Sequence, residues 1–192
     1  MNMLRFFIAL VFSVLLLPPA YAGNEYSKSI KVFRDSEVVQ PYFKDSYGYA
    51  IFPTIGKGGI GIGGAHGKGK VYKGGKPSGD TSMTQVTIGW QLGGQAYSQI
   101  IFFQDKRAYN EFTSGNFEFG AQASAVAITA GAQAQAGTGG ATASASPGGS
   151  AGAQAKTDYH KGMAIFTRAK GGLMYEAAIG GQKFSFTPLG KK

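Results

Sequence analysis

Cysteine is absent from the chain, and that absence removes several chemistries at once. No disulfide can staple the fold, no thiolate can serve as nucleophile or soft metal ligand, and no cysteine can carry a lipoprotein anchor. Histidine is almost as scarce. His66 and His160 are the only two, and neither has a second histidine or a carboxylate at metal-ligand spacing. Acidic residues number ten against nineteen Lys and Arg, a formal net charge of +9, and no pair of carboxylates stands out for acid–base work. Beyond residue 17 no stretch is long and apolar enough to cross a bilayer. These absences predict a chain without cofactor, metal or catalytic residues, a binding domain rather than an enzyme.

The N-terminus reads as a secretory signal. Residues 1–5 carry one positive charge, residues 6–17 are almost unbroken apolar, and Pro18-Pro19 breaks any helix. Ala20-Tyr21-Ala22 then supplies small residues at the positions a signal peptidase reads, which places cleavage after Ala22. The apolar run is too short to span about 30 Å of hydrocarbon at about 1.5 Å per residue. The expected address is periplasmic or secreted, with peripheral attachment to a membrane. Without a disulfide, packing alone must stabilise the single domain expected over residues 23–192. The basic surface favours polyanions, and export makes nucleic acid the poorest partner among them.

Along that domain, residues 24–35 read as a short amphipathic helix: Tyr26, Ile30 and Phe33 fall at i, i+4 and i+7 on one face, with Lys28, Lys31 and Arg34 on the other. A second short turn follows through Val38-Val39, and Pro41 is expected to end helical structure. Strand signals begin at Tyr47. Residues 49–53 form a short run ending at a proline, and residues 58–64 alternate glycine with Ile60 and Ile62. Residues 74–80 suit a hairpin turn. In residues 83–92, Val86, Ile88, Trp90 and Leu92 alternate with polar residues, predicting that these four face the core. Residues 97–103 are a fully apolar strand, and residues 105–112 a helix capped by Asp105 with Tyr109 and Phe112 facing inward. Alternation resumes over residues 116–131, and closing strands are expected at 163–167, 173–179 and 183–186. The count, eight or nine strands against two or three short helices, predicts a mainly β (α+β) fold: a curved antiparallel sheet forming a sandwich or barrel-like core.

Residues 130–156 are almost entirely Ala, Gly, Ser, Thr and Gln. They read as a surface excursion that cannot bury enough to offset its ordering entropy, with a self-associating alanine–glycine strand pair as the competing reading. A faint repeat pairs Ala50-Ile51-Phe52 with Ala164-Ile165-Phe166, each followed by Lys-Gly-Gly, and raises the expectation of two equivalent hairpins.

Three strings imitate catalytic motifs. Gly59-x-Gly61-x-x-Gly64 matches a dinucleotide fingerprint but lacks a following helix. Gly64-x-x-x-x-Gly69-Lys70 resembles a phosphate loop until Val71, where Ser or Thr should bind magnesium. Gly148-Gly149-Ser150-Ala151-Gly152 spells a nucleophile elbow inside the low-complexity segment, without the strand and helix the elbow needs. The basic residues carry more. Lys28, Lys31 and Arg34 with Tyr26, Ile30 and Phe33 could lie in a headgroup layer, or the rings could dock on the protein's own sheet; both readings stay open. Lys57, Lys68, Lys70, Lys73 and Lys76 crowd the glycine-rich hairpins as a second patch, suited to phosphate contact or to blunting strand edges.

The run Tyr47-Gly48-Tyr49-Ala50-Ile51-Phe52-Pro53 with Gly56-Lys57-Gly58-Gly59 resembles the SYLF domain, a lipid-binding family. The resemblance continues through Gly89-Trp90-Gln91-Leu92-Gly93-Gly94-Gln95-Ala96-Tyr97-Ser98, Ile100-Ile101-Phe102-Phe103 and Gly115-Asn116-Phe117-Glu118-Phe119. It ends with Ala169-Lys170-Gly171-Gly172-Leu173 and Gly180-Gly181-Gln182-Lys183-Phe184. It implies binding rather than catalysis: eukaryotic members attach to phosphoinositide membranes through an N-terminal amphipathic helix with neighbouring basic residues, and some bind actin. In an exported chain neither actin nor ordinary phosphoinositides are expected, so the implied ligand is an anionic phospholipid headgroup. The residues expected to meet it are Tyr26, Lys28, Ile30, Lys31, Phe33, Arg34, Lys57, Lys68 and Lys70. The long insert at 130–156 departs from the family pattern. A self-associating structural protein of the cell envelope is the alternative, and a hydrolase built on Ser150 a third reading.

Overall fold

The computed structural model describes residues 20–60, 62–88, 95–120, 123, 125–128, 134–136, 159–170 and 179–190. Most of the expected leader, most of the alanine–glycine insert with Ser150, and nearly all of the strand expected at 173–179 lie outside the described residues. Among the described residues two helices come first, α1 (Ala20–Arg34) and α2 (Gln40–Asp45). The strands β1 (Gly48–Ile60), β2 (Ile62–Lys73), β3 (Lys76–Ile88) and β4 (Gln95–Phe103) follow. Helix α3 (Lys106–Phe112) leads to β5 (Phe117–Glu118), β6 (Val126–Ile128), β7 (Ala134–Ala136), β8 (Met163–Lys170) and β9 (Lys183–Pro188). All nine strands join one sheet in the order β5-β9-β3-β2-β1-β4-β8-β6-β7. Every pairing is antiparallel except β6 with β8. The mainly β fold with a curved, largely antiparallel sheet is therefore the fold the chain adopts.

The sheet curls into a half-barrel with two differently filled faces. Alternate residues of β1, β4 and β8 (Ala50, Phe52 and Ile55; Tyr97, Ile101 and Phe103; Met163 and Ile165) point into the lumen, where they meet Phe112, Phe119, Ile179 and Phe184. Their neighbours Tyr49, Ile51, Ile100, Phe102, Ala164 and Phe166 point outward beneath α1 and α2. Curvature brings distant strands together. The rings of Phe52 and Phe184 lie 5.6 Å apart across the lumen, although β2 and β3 separate their strands in the sheet. A polar pin crosses the same space: Gln99 Nε2 donates to Gln182 Oε1 at 2.9 Å, and Gln182 Nε2 donates to Gln99 Oε1 at 3.2 Å and to the Tyr97 hydroxyl at 3.1 Å. Both glutamines are fully buried, and their mutual bonds satisfy amides that would otherwise be costly inside.

Several local expectations hold and several are corrected. Asp105 caps α3, its Oδ1 accepting from the Ala108 N–H at 2.8 Å, and Phe112 is buried. The 74–80 turn is tighter than expected: Gly74 and Gly75 alone form it, both with positive φ, as two-residue hairpins require. Pro41 starts a helix instead of ending one, because the first turn of α2 needs no N–H from it. Pro53 does not end β1 either. Both pairings of β1 shift register around it, so a bulge absorbs its missing N–H.

Residues 58–64 are not one strand but the closed end of the β1–β2 hairpin, where Ile60 pairs with Ile62. The parity expected for residues 83–92 is inverted where it is described: Val86 is 77% exposed while Gln85 is 4% exposed. Gln85 turns inward because its Nε2 donates to the Gly180 carbonyl at 2.9 Å. The two Ala-Ile-Phe triplets face opposite ways, Ala50 into the lumen and Ala164 out of it, so they are not equivalent hairpins. Part of the alanine-rich insert is sheet: β7 pairs with β6. Among the described residues no helix is long and apolar enough to cross a membrane.

Candidate functional site

Helix α1 lies on the outer face, and the sheet decides how. Phe33 is fully buried against the outer cluster, with Tyr26 and Ile30 partly buried beside it. That leaves Lys28, Lys31 and Arg34 on the exposed side. In this conformation the rings dock on the protein's own sheet, one of the two readings the sequence left open. Lys31 Nζ pairs with Asp35 Oδ2 at 2.6 Å, one helical turn on, and the Arg34 guanidinium sits 4.9 Å over the Phe43 ring.

The N-terminal half of α1 is held by polar contacts. Glu25 Oε1 accepts from Thr54 Oγ1 at 2.7 Å and from Lys170 Nζ at 3.4 Å, and Lys170 also donates to Thr54 Oγ1. Lys70 Nζ pairs with Asp80 Oδ1 at 2.9 Å and lies 5.5 Å over the Tyr26 ring. The hydrogen bond to Asp80 raises the Lys70 pKa, and burial raises that of Tyr26. Lys70 therefore fastens the helix to the sheet, while Lys68, two residues earlier on the same face, stays exposed.

The lysines of the glycine-rich hairpins do not form one patch. Lys57 pairs with Ala65, a lumen residue, so it sits on the inner parity, opposite in face to Lys68 and Lys70. Lys73 and Lys76 flank the β2–β3 turn at the far end of the sheet, where Lys73 Nζ lies 5.4 Å from the Tyr47 ring and 5.8 Å from that of Tyr109. What the structure does gather was missed in the sequence. The outer-face row Lys170–Ala96–Gly56–His66–Thr84–Lys183 runs across five strand pairings with a cation at each end. Only the register reveals it, since its members are scattered over more than a hundred residues.

A separate cleft of about 140 Å³ opens between β5 and β8, floored by Phe117, Phe119, Met163 and Ile165 and rimmed by Glu111, Glu118, His160 and Lys161. Its carboxylates are already engaged, Glu118 with Lys183 at 3.6 Å and Glu111 with Arg107 at 3.2 Å. Among the described residues no three of His, Cys, Asp and Glu come together as a metal site would require. The Gly59–Gly64 string lies in the β1–β2 hairpin, not before a helix.

Comparison with known proteins adds a family. The family model described as Ysc84, Las17-binding protein actin regulator, matches residues 84–186, overlapping most of the stretches that resemble the SYLF domain. A curated relative, Beta cell expansion factor A of Aeromonas veronii, is 24% identical over 164 residues, which cover 81% of this chain and 51% of that protein. The chain thus spans about half the length of that relative.

Proposed function

The chain belongs to the Ysc84 (SYLF) family, and on that premise we propose that it is an exported, peripherally attached protein that recognises anionic phospholipid headgroups without catalysing a reaction. The observation that carries this reading is the docking of α1. Its apolar residues are taken up by the sheet, so Lys28, Lys31 and Arg34 remain on the solvent side, on the same face as exposed Lys68. A cation near an anionic surface contributes about 1 kcal/mol, and the chain's excess of nineteen basic over ten acidic residues supports the same polarity. Lys70 belongs to the fastening of the helix and Lys57 to the other face, so the headgroup surface is narrower than the sequence implied.

Co-sedimentation of the purified protein with vesicles tests it. Binding to phosphatidylglycerol vesicles, little binding to phosphatidylcholine, and loss at high salt are expected. Changing Lys28, Lys31 and Arg34 together to Glu should weaken binding by about a hundredfold or more, from about 1 kcal/mol per cation. Unchanged binding of that variant removes the proposed surface. The periplasmic or secreted address is tested by N-terminal sequencing of the exported form, which should begin at Gly23.

One observation favours a second reading, the self-associating envelope protein: β7, one of the two edge strands among those described, is an Ala-Gln-Ala segment from the low-complexity insert. Deleting residues 137–152 should then abolish assembly, and an unchanged sizing profile would dismiss it.

A further inference from the structure

The half-barrel does not close. Strands β5 and β8 stand first and seventh in the sheet, and its curl brings them to the two sides of the cleft of about 140 Å³. Pairing is sparse on both sides of it. β5 meets β9 at Phe117 and Glu118. β8 meets β6 at Phe166 and Thr167, so among the described residues Met163 to Ile165 have β4 on one side and no strand on the other. Phe119, Met163 and Ile165, members of the lumen cluster, thereby line an opening, with Phe117 packed against the same cluster. An apolar cavity of about 150 Å³ holds a molecule of benzene's size, so this cleft has room for about six carbons. Gly120 keeps that room open: it lines the cleft, and a Cβ added there would meet nothing within 4 Å.

The rim decides what the other end of a ligand must be. Glu111 and Glu118 are engaged by cations that do not line the cleft, Arg107 at 3.2 Å and Lys183 at 3.6 Å. His160 and Lys161 share the rim, both exposed, and among the described residues neither side chain has a hydrogen-bond or ion-pair partner. Lys161 stands there against the preference of its backbone. His160 and Met163 exchange both N–H···O bonds at 3.0 Å, which leaves Lys161 and Gly162 as a two-residue turn with φ of 51° and 79°. Two positive φ values in such a turn favour Asn-Gly. Among the described residues Lys161 is the one non-glycine with positive φ, and Arg107 Nη2 fastens it there by donating to its carbonyl at 3.3 Å. What lysine supplies that asparagine would not is a long cationic side chain at the mouth of an apolar cleft.

We propose that the cleft between β5 and β8 binds a medium-chain fatty acid anion: its alkyl chain lies on Phe117, Phe119, Met163 and Ile165, and Lys161 with His160 receives the carboxylate. This goes beyond the headgroup reading and does not rest on it, since the cleft opens from the lumen whereas α1 packs on the outer face. A phospholipid fits less well, because it brings two chains to a space that holds part of one.

Methyl NMR of the purified protein tests the site. Butanoate, hexanoate, octanoate and decanoate, each below its micelle concentration, are titrated while the methyl signals of Met163 and Ile165 are followed, with Ile51 and Ile100 of the outer cluster as controls. Shifts at Met163 and Ile165 but not at the controls are expected. Affinity should rise about fourfold per added methylene until roughly six carbons fill the cleft, then level off. Lys161→Asn, which suits the turn, should weaken hexanoate about fivefold, the most an exposed ion pair usually contributes, and leave hexanol unchanged. Gly120→Leu, which fills the space without a clash or a positive φ, should abolish binding of both. The variant with Lys28, Lys31 and Arg34 changed to Glu should bind hexanoate like the parent. Affinity that keeps rising through decanoate, or full hexanoate binding by Lys161→Asn or Gly120→Leu, overturns the site. Displacement of hexanoate by dihexanoylphosphatidylglycerol at a lower concentration gives the cleft to a phospholipid chain and overturns the free acid. No shift at Met163 or Ile165 with any of the acids removes the site and leaves the headgroup reading standing.

Discussion

Strands β4 and β2 belong to one sheet and solve opposite problems. From Tyr97 to Phe103 every residue of β4 is buried, because its outer face lies under helices and its inner face lines the lumen. Strand β2 is buried on one face only, and that face is nearly empty of side chains: Gly63, Ala65, Gly67 and Gly69 precede Val71. The emptiness has a steric cause. A Cβ at Gly67 would sit 2.6 Å from Ile55 Cγ1 and 2.9 Å from the Thr54 carbonyl oxygen, and one at Gly69 would sit 2.7 Å from the Phe52 ring. Large residues of β1 lean across β2, so β4 supplies volume and β2 supplies room. A half-barrel this tightly curled needs both.

That contrast can be broken from either side. Phe102→Ala in β4 should cost about 3–5 kcal/mol by opening a cavity in the outer cluster, read from urea unfolding; a loss below about 1 kcal/mol would mean that α2 collapses onto the gap. In β2 the sign of the change reverses, since adding atoms does the damage. Gly69→Ala should destabilise by about 1–3 kcal/mol through overpacking. Gly64→Ala, whose Cβ would lie 3.6 Å from its nearest neighbour, should stay within about 0.5 kcal/mol of the parent. Equal effects of the two would refute the division of labour.

A pH-dependent effect sharpens the buried side. Burial pushes the hydroxyls of Tyr97 and Tyr49 up to about 12. Between pH 10 and 12 the unfolded chain has lost these protons and the folded one holds them. Stability is therefore full below pH 10 and falls above it, by about 1.4 kcal/mol per pH unit for each tyrosine. Tyr97→Phe should remove one tyrosine's share of that slope in urea titrations at alkaline pH.

Much of this fold is legible in the chain because local signals agree with tertiary ones. Residues 97–103 are apolar in every register, and Asp105 caps whatever helix follows it. Legibility fails where the partner is remote. Alternation in residues 83–92 assigns Val86 to the core, but Gln85 finds its acceptor at Gly180, and no local rule contains that pairing. The proline rules mislead at Pro41 and Pro53 because an N–H can be dispensable in a first helical turn or in a bulge. The site divides the same way. The two faces of α1 follow from its period, so the exposed cations were visible from sequence. The Lys170–Lys183 row was not, since it exists only once five registers are set.

The order of the sheet also governs when the molecule can become itself. The last strand of the chain, β9, borders β3, and Thr81 reaches the Ser185 carbonyl across 104 positions of sequence. Gln182 and Phe184, which close the lumen from inside, arrive only with that final segment. A polypeptide emerging N-terminus first from a ribosome must hold β3 unsatisfied along one side until residues 183–188 are free. Contacts of such long range make folding slow, and they make it a late, whole-chain event. For the exported chain proposed above, such delayed closure keeps the polypeptide threadable until β9 emerges.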